Sequence, residues 1–416
     1  MGEGARQVEH PAGWPGQLWL EGRTLIHLMA EQERPTHMPR GPAKRTGPGF
    51  LNPAMAPART RSVMLLTDAL EHDWLVKEQR PIRALDALSA TGVRIRRWRN
   101  EIPGELQHRL RITANDLDEF ALSWAKASHA IHPPPTPVEH EPEEDRHGLT
   151  SAAVFDNGIH FQRLDARMAM VDAAYQWVDL DPFGSPIQFL DAALQSLSRT
   201  GVLEVTATDT AALTGSSPSS QARRYQARGL VDEYAHDDAV RLLLGTVATT
   251  AARLDKVVTP LLALFDGHHV RISLLVQTSK SEATAIGKSI GWRVRCEDVP
   301  YRFVQHPDPE VLKNASGPMW IGPMWHKEIA GRMTEERALE LCHPNPEDIK
   351  NGRNAGLVWE DDDIEHSARE VRRGVRYIAE AADLMSREHL LLSLDALPRL
   401  CGVGGAPKME KLLTAL

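Results

Sequence analysis

Asp181-Pro182-Phe183-Gly184-Ser185-Pro186 puts a carboxylate, a rigid ring and an aromatic face into one short stretch of chain. Those residue types suit methylation of an exocyclic base amine. Such an amine is a weak nucleophile, because its lone pair is delocalised into the ring. A carboxylate that accepts one N–H aims the lone pair and then takes the proton as the nitrogen becomes tetrahedral. Proline fixes the backbone so that the carboxylate keeps its place, and Phe183 offers a surface on which an extruded base stacks. The methyl donor for this chemistry is an activated sulfonium, so no metal is expected. A plain Pro-Gly turn with Asp181 as a helix cap is the alternative, and it leaves the second proline and the aromatic unexplained.

Three more acids stand where a cofactor would be held. The stretch Asp86-Ala87-Leu88-Ser89-Ala90-Thr91-Gly92-Val93-Arg94 follows an apolar run and is built of small residues. Small residues let backbone approach a ligand, and a helix starting near Gly92 points its positive end at an anion. For S-adenosylmethionine that anion is the methionine carboxylate. No Gly-x-Gly-x-x-Gly fingerprint is present, which disfavours a nicotinamide cofactor. Asp116 follows the next apolar run and can accept ribose hydroxyls. Asp165 follows the third and can accept the adenine amino group. Helix capping is the competing role for each acid.

The elements that position these residues follow from hydrophobic pattern. Ile82–Leu88, Leu110–Ala114, Ile159–Leu164, Trp177–Leu180 and Gly201–Thr206 are short apolar runs that read as buried strands. Helical stretches lie between them, at Gly92–Glu101, Asp118–Ile131, Ala166–Ala174 and Ile187–Ser198. That alternation implies an α/β fold with a parallel sheet. Leu261–Phe265 and Val270–Val276 are separated mainly by Asp266-Gly267-His268-His269, which predicts an antiparallel pair at the sheet edge. The fold class expected is therefore a Rossmann-like class I methyltransferase sheet, followed by a smaller mixed α+β domain. The boundary falls near residue 280, giving domains 1–280 and 281–416. Helical patterns in the second appear at Arg332–Leu341, His366–Ser386, Leu394–Leu400 and Lys408–Leu416. His132–Gly148 is proline-rich and acidic, and reads as a surface insertion.

Bulk composition narrows the setting. A chain of 416 residues exceeds the roughly 250–300 at which single cores stop growing. No window approaches the ~20 apolar residues of a membrane span, and the N-terminus lacks the pattern of a secretory leader. Cys296, Cys342 and Cys401 are too scattered for a disulfide framework. A cytoplasmic setting is expected. The formal net charge of −8 disfavours nucleic acid, but its distribution does not. From Arg34 to Thr67 there is no acidic residue, and Arg34, Arg40, Lys44, Arg45, Arg59 and Arg61 are basic. Arg94, Arg96, Arg97 and Arg99 form a second cluster. Oligomeric state is not legible.

With these residues in view, the chain resembles the tRNA (guanine-26) N2-dimethyltransferase family. The stretches that carry the resemblance are Asp179–Phe189 (DLDPFGSPIQF), Val205–Gly215 (VTATDTAALTG), Leu85–Arg94 (LDALSATGVR), Asn52-Pro53-Ala54-Met55 and, more weakly, Gly317–Pro323. The family's activity is S-adenosylmethionine-dependent dimethylation of guanine N2 in tRNA. The resemblance implies Asp181 as base with Pro182 and Phe183 beside it. It implies Arg59, Arg94, Asp86, Asp116, Asp165 and Ala166 at the cofactor, and Phe50 and Asn52 toward the substrate. It moves Arg59 and Arg94 from phosphate contacts to the cofactor, leaving Arg34, Arg40, Lys44, Arg45, Arg96, Arg97 and Arg99 for tRNA. Three departures accompany it. Ala58-Arg59-Thr60 stands where the family has Asn-Arg-Asp. Only Cys296 stands where many members carry a four-cysteine zinc cluster, so no structural zinc is expected. The sequence stops at Leu416, inside a winged-helix-like segment (Leu391–Leu416) and short of the family's basic tail. Either the chain is truncated or its tRNA-binding end is reduced, and a weaker grip on tRNA rather than absent chemistry is the expectation. Methylation of another RNA or DNA site, and tRNA binding without catalysis, are the alternatives.

Overall fold

The computed structural model describes residues 16–29, 51–77, 80–140, 153–297, 299–385 and 393. Its centre is a seven-stranded sheet. In chain order its strands are β3 (Ile82–Asp86), β4 (Leu110–Asn115), β5 (Ile159–Gln162), β6 (Tyr175–Leu180), β7 (Leu197–Ala207), β8 (Lys256–Phe265) and β9 (Val270–Thr278). An N-terminal hairpin, β1 (Gly16–Glu21) and β2 (Thr24–Met29), precedes them. The order across the sheet is β5-β4-β3-β6-β7-β9-β8. The first five strands pair in parallel, and β8 and β9 form an antiparallel hairpin. The strand order reverses between β3 and β6, where an open α/β sheet has its ligand crevice. The α/β class, the parallel strands and the terminal antiparallel pair all agree with the sequence reading.

The chain divides into two compact units. The first comprises the described residues up to Pro182, with Asp191–Val205 and Glu328–Ala381. Here β3, β4 and β6 are almost wholly buried because both faces are covered, while β5 at the sheet edge is only partly buried. The covering helices are α1 (Ala56–Glu71), α2 (Val93–Glu101), α3 (Glu119–Ile131) and α4 (Ala166–Asp172), with most of α5 (Leu190–Ser196). Helix 361–375 packs on α1, where Arg61 Nη1 donates to the Gly374 carbonyl at 2.7 Å. A Cβ at Gly374 would come within 3.3 Å of Pro57, so the two helices meet backbone to side chain.

The second unit holds Phe183–Leu190 and Thr206–Lys327, with the described residues after Ala381. It contains α6 (Thr210–Leu213), α7 (Pro218–Tyr225), α8 (Ala235–Arg253), β8 and β9. A three-stranded antiparallel sheet of order β11-β10-β12 completes it, from β10 (Ile290–Arg295), β11 (Tyr301–Val304) and β12 (Ala315–Trp320). Arg293 on β10 is fully buried and reaches Asp238 of α8 at 2.6 Å and Asp232 at 2.9 Å.

Some boundaries differ from the sequence reading. The helix expected over Ile187–Ser198 is a 3₁₀ turn at Ile187–Phe189, then α5, and Leu197 already belongs to β7. The helix expected over His366–Ser386 is two helices, 361–375 and 378–385, parted by an extended Arg376 and a left-handed Tyr377 at φ 64°. No glycine or proline at Arg376-Tyr377 announces that break. The patterns at Leu394–Leu400 and Lys408–Leu416 lie outside the described residues.

One glycine is essential to the geometry of the first strand-helix turn. Gly92 caps α2 at φ 70°, and a Cβ there would lie 2.7 Å from the Ala125 Cβ of α3. Gly92→Ala therefore combines a left-handed backbone penalty with an overpacked contact, and is expected to cost about 2–4 kcal/mol. A urea titration should show a lowered midpoint with unchanged slope.

Candidate functional site

The ends of β3 and β6 bring three carboxylates and one guanidinium together. Asp86 closes β3 and is in register with Asp179 on the parallel neighbour β6. The Ala87 N–H donates to the Asp179 carbonyl at 3.1 Å, which ties the two strand ends. Side chains two apart on a strand share a face, so Asp181, just past β6, follows Asp179 toward the same side. Arg94, in the first turn of α2, reaches both: Nε lies 3.2 Å from Asp179 Oδ1 and Nη2 lies 2.7 Å from Asp181 Oδ2. Asp179 is wholly buried, whereas the Asp181 side chain keeps 21% exposure. The deep acid is structural in character and the shallow one is open to a reactant.

Two atoms of this cluster are left over. Asp86 Oδ1 and Arg94 Nη1 are buried without hydrogen-bond partners among the described residues. Unsatisfied buried polar atoms are rare, and each calls for an explanation. Burial, with Asp179 beside it, pushes the Asp86 carboxyl up to about 8, against the opposing pull of Arg94. The ligand-free protein thus binds a proton at Asp86 that the unfolded chain releases near 3.8. The resulting stability is complete below the unfolded value and is lost as pH rises through about 8. The melting temperature of the ligand-free protein is expected to fall as pH rises from about 4 to about 8 and to level off above that, and Asp86→Asn should flatten that decline. A cationic ligand group at Asp86 would favour the ionised form and remove the same decline.

The loop over this cluster is well fixed. Asn115, at the end of β4, is fully buried and donates from Nδ2 to the Ala87 carbonyl at 3.0 Å and to the Leu164 carbonyl at 3.1 Å. Its Oδ1 accepts from the Leu164 N–H at 3.0 Å, so one amide stitches the ends of β3, β4 and β5. Asp116 accepts from the Ala90 N–H at 2.8 Å and the Asp118 N–H at 2.9 Å, and burial raises its carboxyl. Asp165 is the N-cap of α4 and accepts from the Arg167 N–H at 2.9 Å. The Arg167 side chain beside it holds its carboxyl down at about 2. Ala166 follows as a buried first residue of α4.

Comparison with known proteins decides the family. A family model described as N2,N2-dimethylguanosine tRNA methyltransferase matches residues 30–351. The chain belongs to that family. A relative from Pyrococcus furiosus, a tRNA (guanine(26)-N(2))-dimethyltransferase, is 33% identical over 299 residues, which is 72% of this chain and 73% of that one. A relative from Aquifex aeolicus, a tRNA (guanine(26)-N(2)/guanine(27)-N(2))-dimethyltransferase, is 28% identical over 70% of this chain and 69% of its own length. Among solved structures, that of Trm1 from Pyrococcus horikoshii with S-adenosyl-L-methionine superposes at a TM-score of 0.65 and 24% identity. It covers 96% of this chain and 91% of that chain. The fold of this family member is thus the methyltransferase fold expected from its sequence.

Not every residue that the family resemblance points to stands at the β3–β6 cluster. Arg59 is buried and makes a two-pronged pair with Glu21, Nε to Oε1 and Nη2 to Oε2, each at 2.5 Å. Its Nη2 also donates to the Asn52 carbonyl at 3.0 Å, while Asn52 Oδ1 caps the short turn at Ala54. Phe50, Arg34, Arg40, Lys44 and Arg45 lie outside the described residues. Phe183 is 65% exposed.

The reading of Arg96, Arg97 and Arg99 as tRNA contacts is corrected. All three are buried. Arg96 donates to the carbonyls of Leu25 and His132, and burial lowers it to about 9. Arg99 donates to the carbonyls of Asn157 and Thr136. Arg97 pairs with Glu101 at 2.7 Å and with Glu21 at 3.2 Å. A guanidinium held this way has no face left for a phosphate. The signal was present in sequence, since Glu101 stands four residues after Arg97 on one helix face. Asp179, Asn115 and Glu21 were missed. Asp179 was readable from its two-residue spacing to Asp181. The register that sets it against Asp86 was not.

A cavity of about 690 Å³ opens beside the Glu21–Arg97 pair, walled by Trp19, Leu357, Trp359 and Val371. Asp86, Arg94 and Asp181 do not line it.

Proposed function

We propose that this chain transfers methyl groups from S-adenosylmethionine to the exocyclic N2 of guanine 26 in tRNA, giving N2-methylguanine and then N2,N2-dimethylguanine. The observation that carries the reading is Arg94 set between Asp179 and Asp181 with Asp86 beside them. The cofactor ends in an amino acid, which needs one receptor for its carboxylate and one for its ammonium. The unpartnered Arg94 Nη1 and Asp86 Oδ1 fit those two needs. When bound, the cofactor supplies a methyl group made electrophilic by its sulfonium.

The chain's own residues supply the rest. Arg94 holds one oxygen of Asp181, leaving the carboxylate oriented to accept an N–H from the base. Asp181 then takes the proton that the amine loses on methylation. Pro182 restrains the backbone after Asp181, and Phe183 receives the face of the extruded guanine. Asp116 is assigned to the ribose hydroxyls, and Asp165 and Ala166 to the adenine. Arg59 and Asn52 join the site through the segment that also carries Phe50. For Arg59 to meet the cofactor it must share or exchange its pairing with Glu21. Residues 1–280 are assigned to catalysis and 281–416 to tRNA, in the cytoplasm. Among the described residues no helix is long and apolar enough to cross a membrane.

Incubation with methyl-labelled cofactor and separate tRNA and DNA pools tests the assignment. Label is expected in tRNA. Label confined to DNA would overturn the substrate, and label in neither would overturn the activity.

A further inference from the structure

The residues after Pro182 are gripped by groups that the reaction above leaves without a task. The Gly184 N–H donates to Thr208 Oγ1 at 2.7 Å, and the Thr208 N–H donates back to the Gly184 carbonyl at 2.9 Å. One threonine thus engages both polar groups of one residue in the loop. Next along, Ser185 Oγ lies 3.3 Å from the Tyr225 hydroxyl, which donates to Asp209 Oδ1 at 2.7 Å. Arg224 holds the other carboxylate oxygen of Asp209 at 2.8 Å.

These bonds matter because they act on the open stretch between two buried prolines, Pro182 and Pro186. Gly184 sits at φ 78°, and a Cβ there would touch nothing within 4 Å. Phe183 beside it is exposed. Holding an unpacked residue in one conformation costs about 1–2 kcal/mol of entropy per residue, so something other than burial must hold this one. Burial and the adjacent Asp209 push the Tyr225 hydroxyl well above its ordinary value, so it remains a donor at any working pH.

We propose that Thr208, Asp209 and Tyr225 form a latch on Gly184 and Ser185 that presets the direction of Phe183 for the incoming base. They are positioning residues, contributed by the VTATDTAALTG stretch and the helix after it. The latch rests on the proposed function, because its purpose is to present a stacking surface to a nucleobase.

Thr208→Val removes the hydroxyl and keeps the shape, Thr208→Ser keeps the hydroxyl, and Tyr225→Phe deletes the second grip. With Thr208→Val, kcat for tRNA methylation is expected to fall about 10- to 100-fold, the scale of a misplaced reacting group. KM for the cofactor should stay unchanged, and Thr208→Ser should recover most of the loss. Tyr225→Phe should give a smaller fall in kcat with the same split. Hydrogen exchange gives a readout that needs no activity. The Gly184 amide should exchange faster in Thr208→Val, with the amides of β6 unaltered. Wild-type kcat in Thr208→Val, or a loss that Thr208→Ser does not restore, would overturn the latch. Exchange at Gly184 as slow as in the wild type would do the same. If the wild-type protein methylates no tRNA, the functional reading fails on its own, and the exchange measurement still decides whether Thr208 restrains Gly184.

Discussion

Asp181→Ala is expected to lower single-turnover methyl transfer to tRNA by about a thousandfold, within the range that a positioned general base supplies. The carboxylate keeps one oxygen on Arg94 at 2.7 Å and remains partly exposed, so it is anchored yet open to a base. Asp181→Asn separates two contributions. The amide oxygen still accepts a hydrogen bond and orients the amine, but it cannot take the proton. Its rate should fall between those of the wild type and alanine. Cofactor binding, followed by calorimetry, should survive both changes, because Asp86 and the Arg94 guanidinium remain. A rate within twofold of wild type for Asp181→Ala would remove the proposed base.

The second large effect is on stability. Arg97→Met is expected to cost about 3–5 kcal/mol, the loss seen when one partner of a buried ion pair is removed. Arg97 donates to Glu101 from Nε at 2.8 Å and from Nη2 at 2.7 Å, to Thr60 Oγ1 at 2.9 Å and to the Ala56 carbonyl at 3.2 Å. Its Nη1 also reaches Glu21, which Arg59 shares. Methionine fills much of the volume but strands Glu101, whose carboxyl burial already raises against the pull of Arg97. Denaturant unfolding measures the loss. A phosphate-contacting arginine would behave otherwise: unchanged stability, weaker tRNA binding, and a salt dependence reduced by about one charge. That second pattern would contradict the burial of Arg97.

The contrast between Asp181 and Arg97 shows what the sequence makes legible. Asp181 stands in a run whose residue types have a joint chemical purpose, at the end of a short apolar strand. Strand period and turn residues located it, along with β3 to β6 and the β8–β9 hairpin. Arg97 stands in VRIRRWRNE, which reads as a charged exposed helix, yet every residue of α2 is buried. Partners distant in sequence, Glu21, Leu25, His132 and Asn157, neutralise or engage those arginines. No local pattern reports such partners. Helix α1 escaped the reading for a similar reason. Arg59, Thr60, Arg61 and Ser62 are all buried in it, so no polar face marks its period. Phe183 and Gly184 were legible as types, but the clasp from Thr208 depends on a contact 24 residues away.

Incubation of the wild-type protein with methyl-labelled S-adenosylmethionine and unmodified tRNA, followed by nuclease mapping and mass spectrometry of the guanine at position 26, tests the central claim most directly. Transfer to guanine N2 at position 26, passing through one added methyl to two, is the result expected. Methylation at position 27 alone would correct the site while keeping the chemistry. Methyl groups on ring nitrogens, or none on tRNA at all, would contradict the assignment of Asp181 as the base for an exocyclic amine.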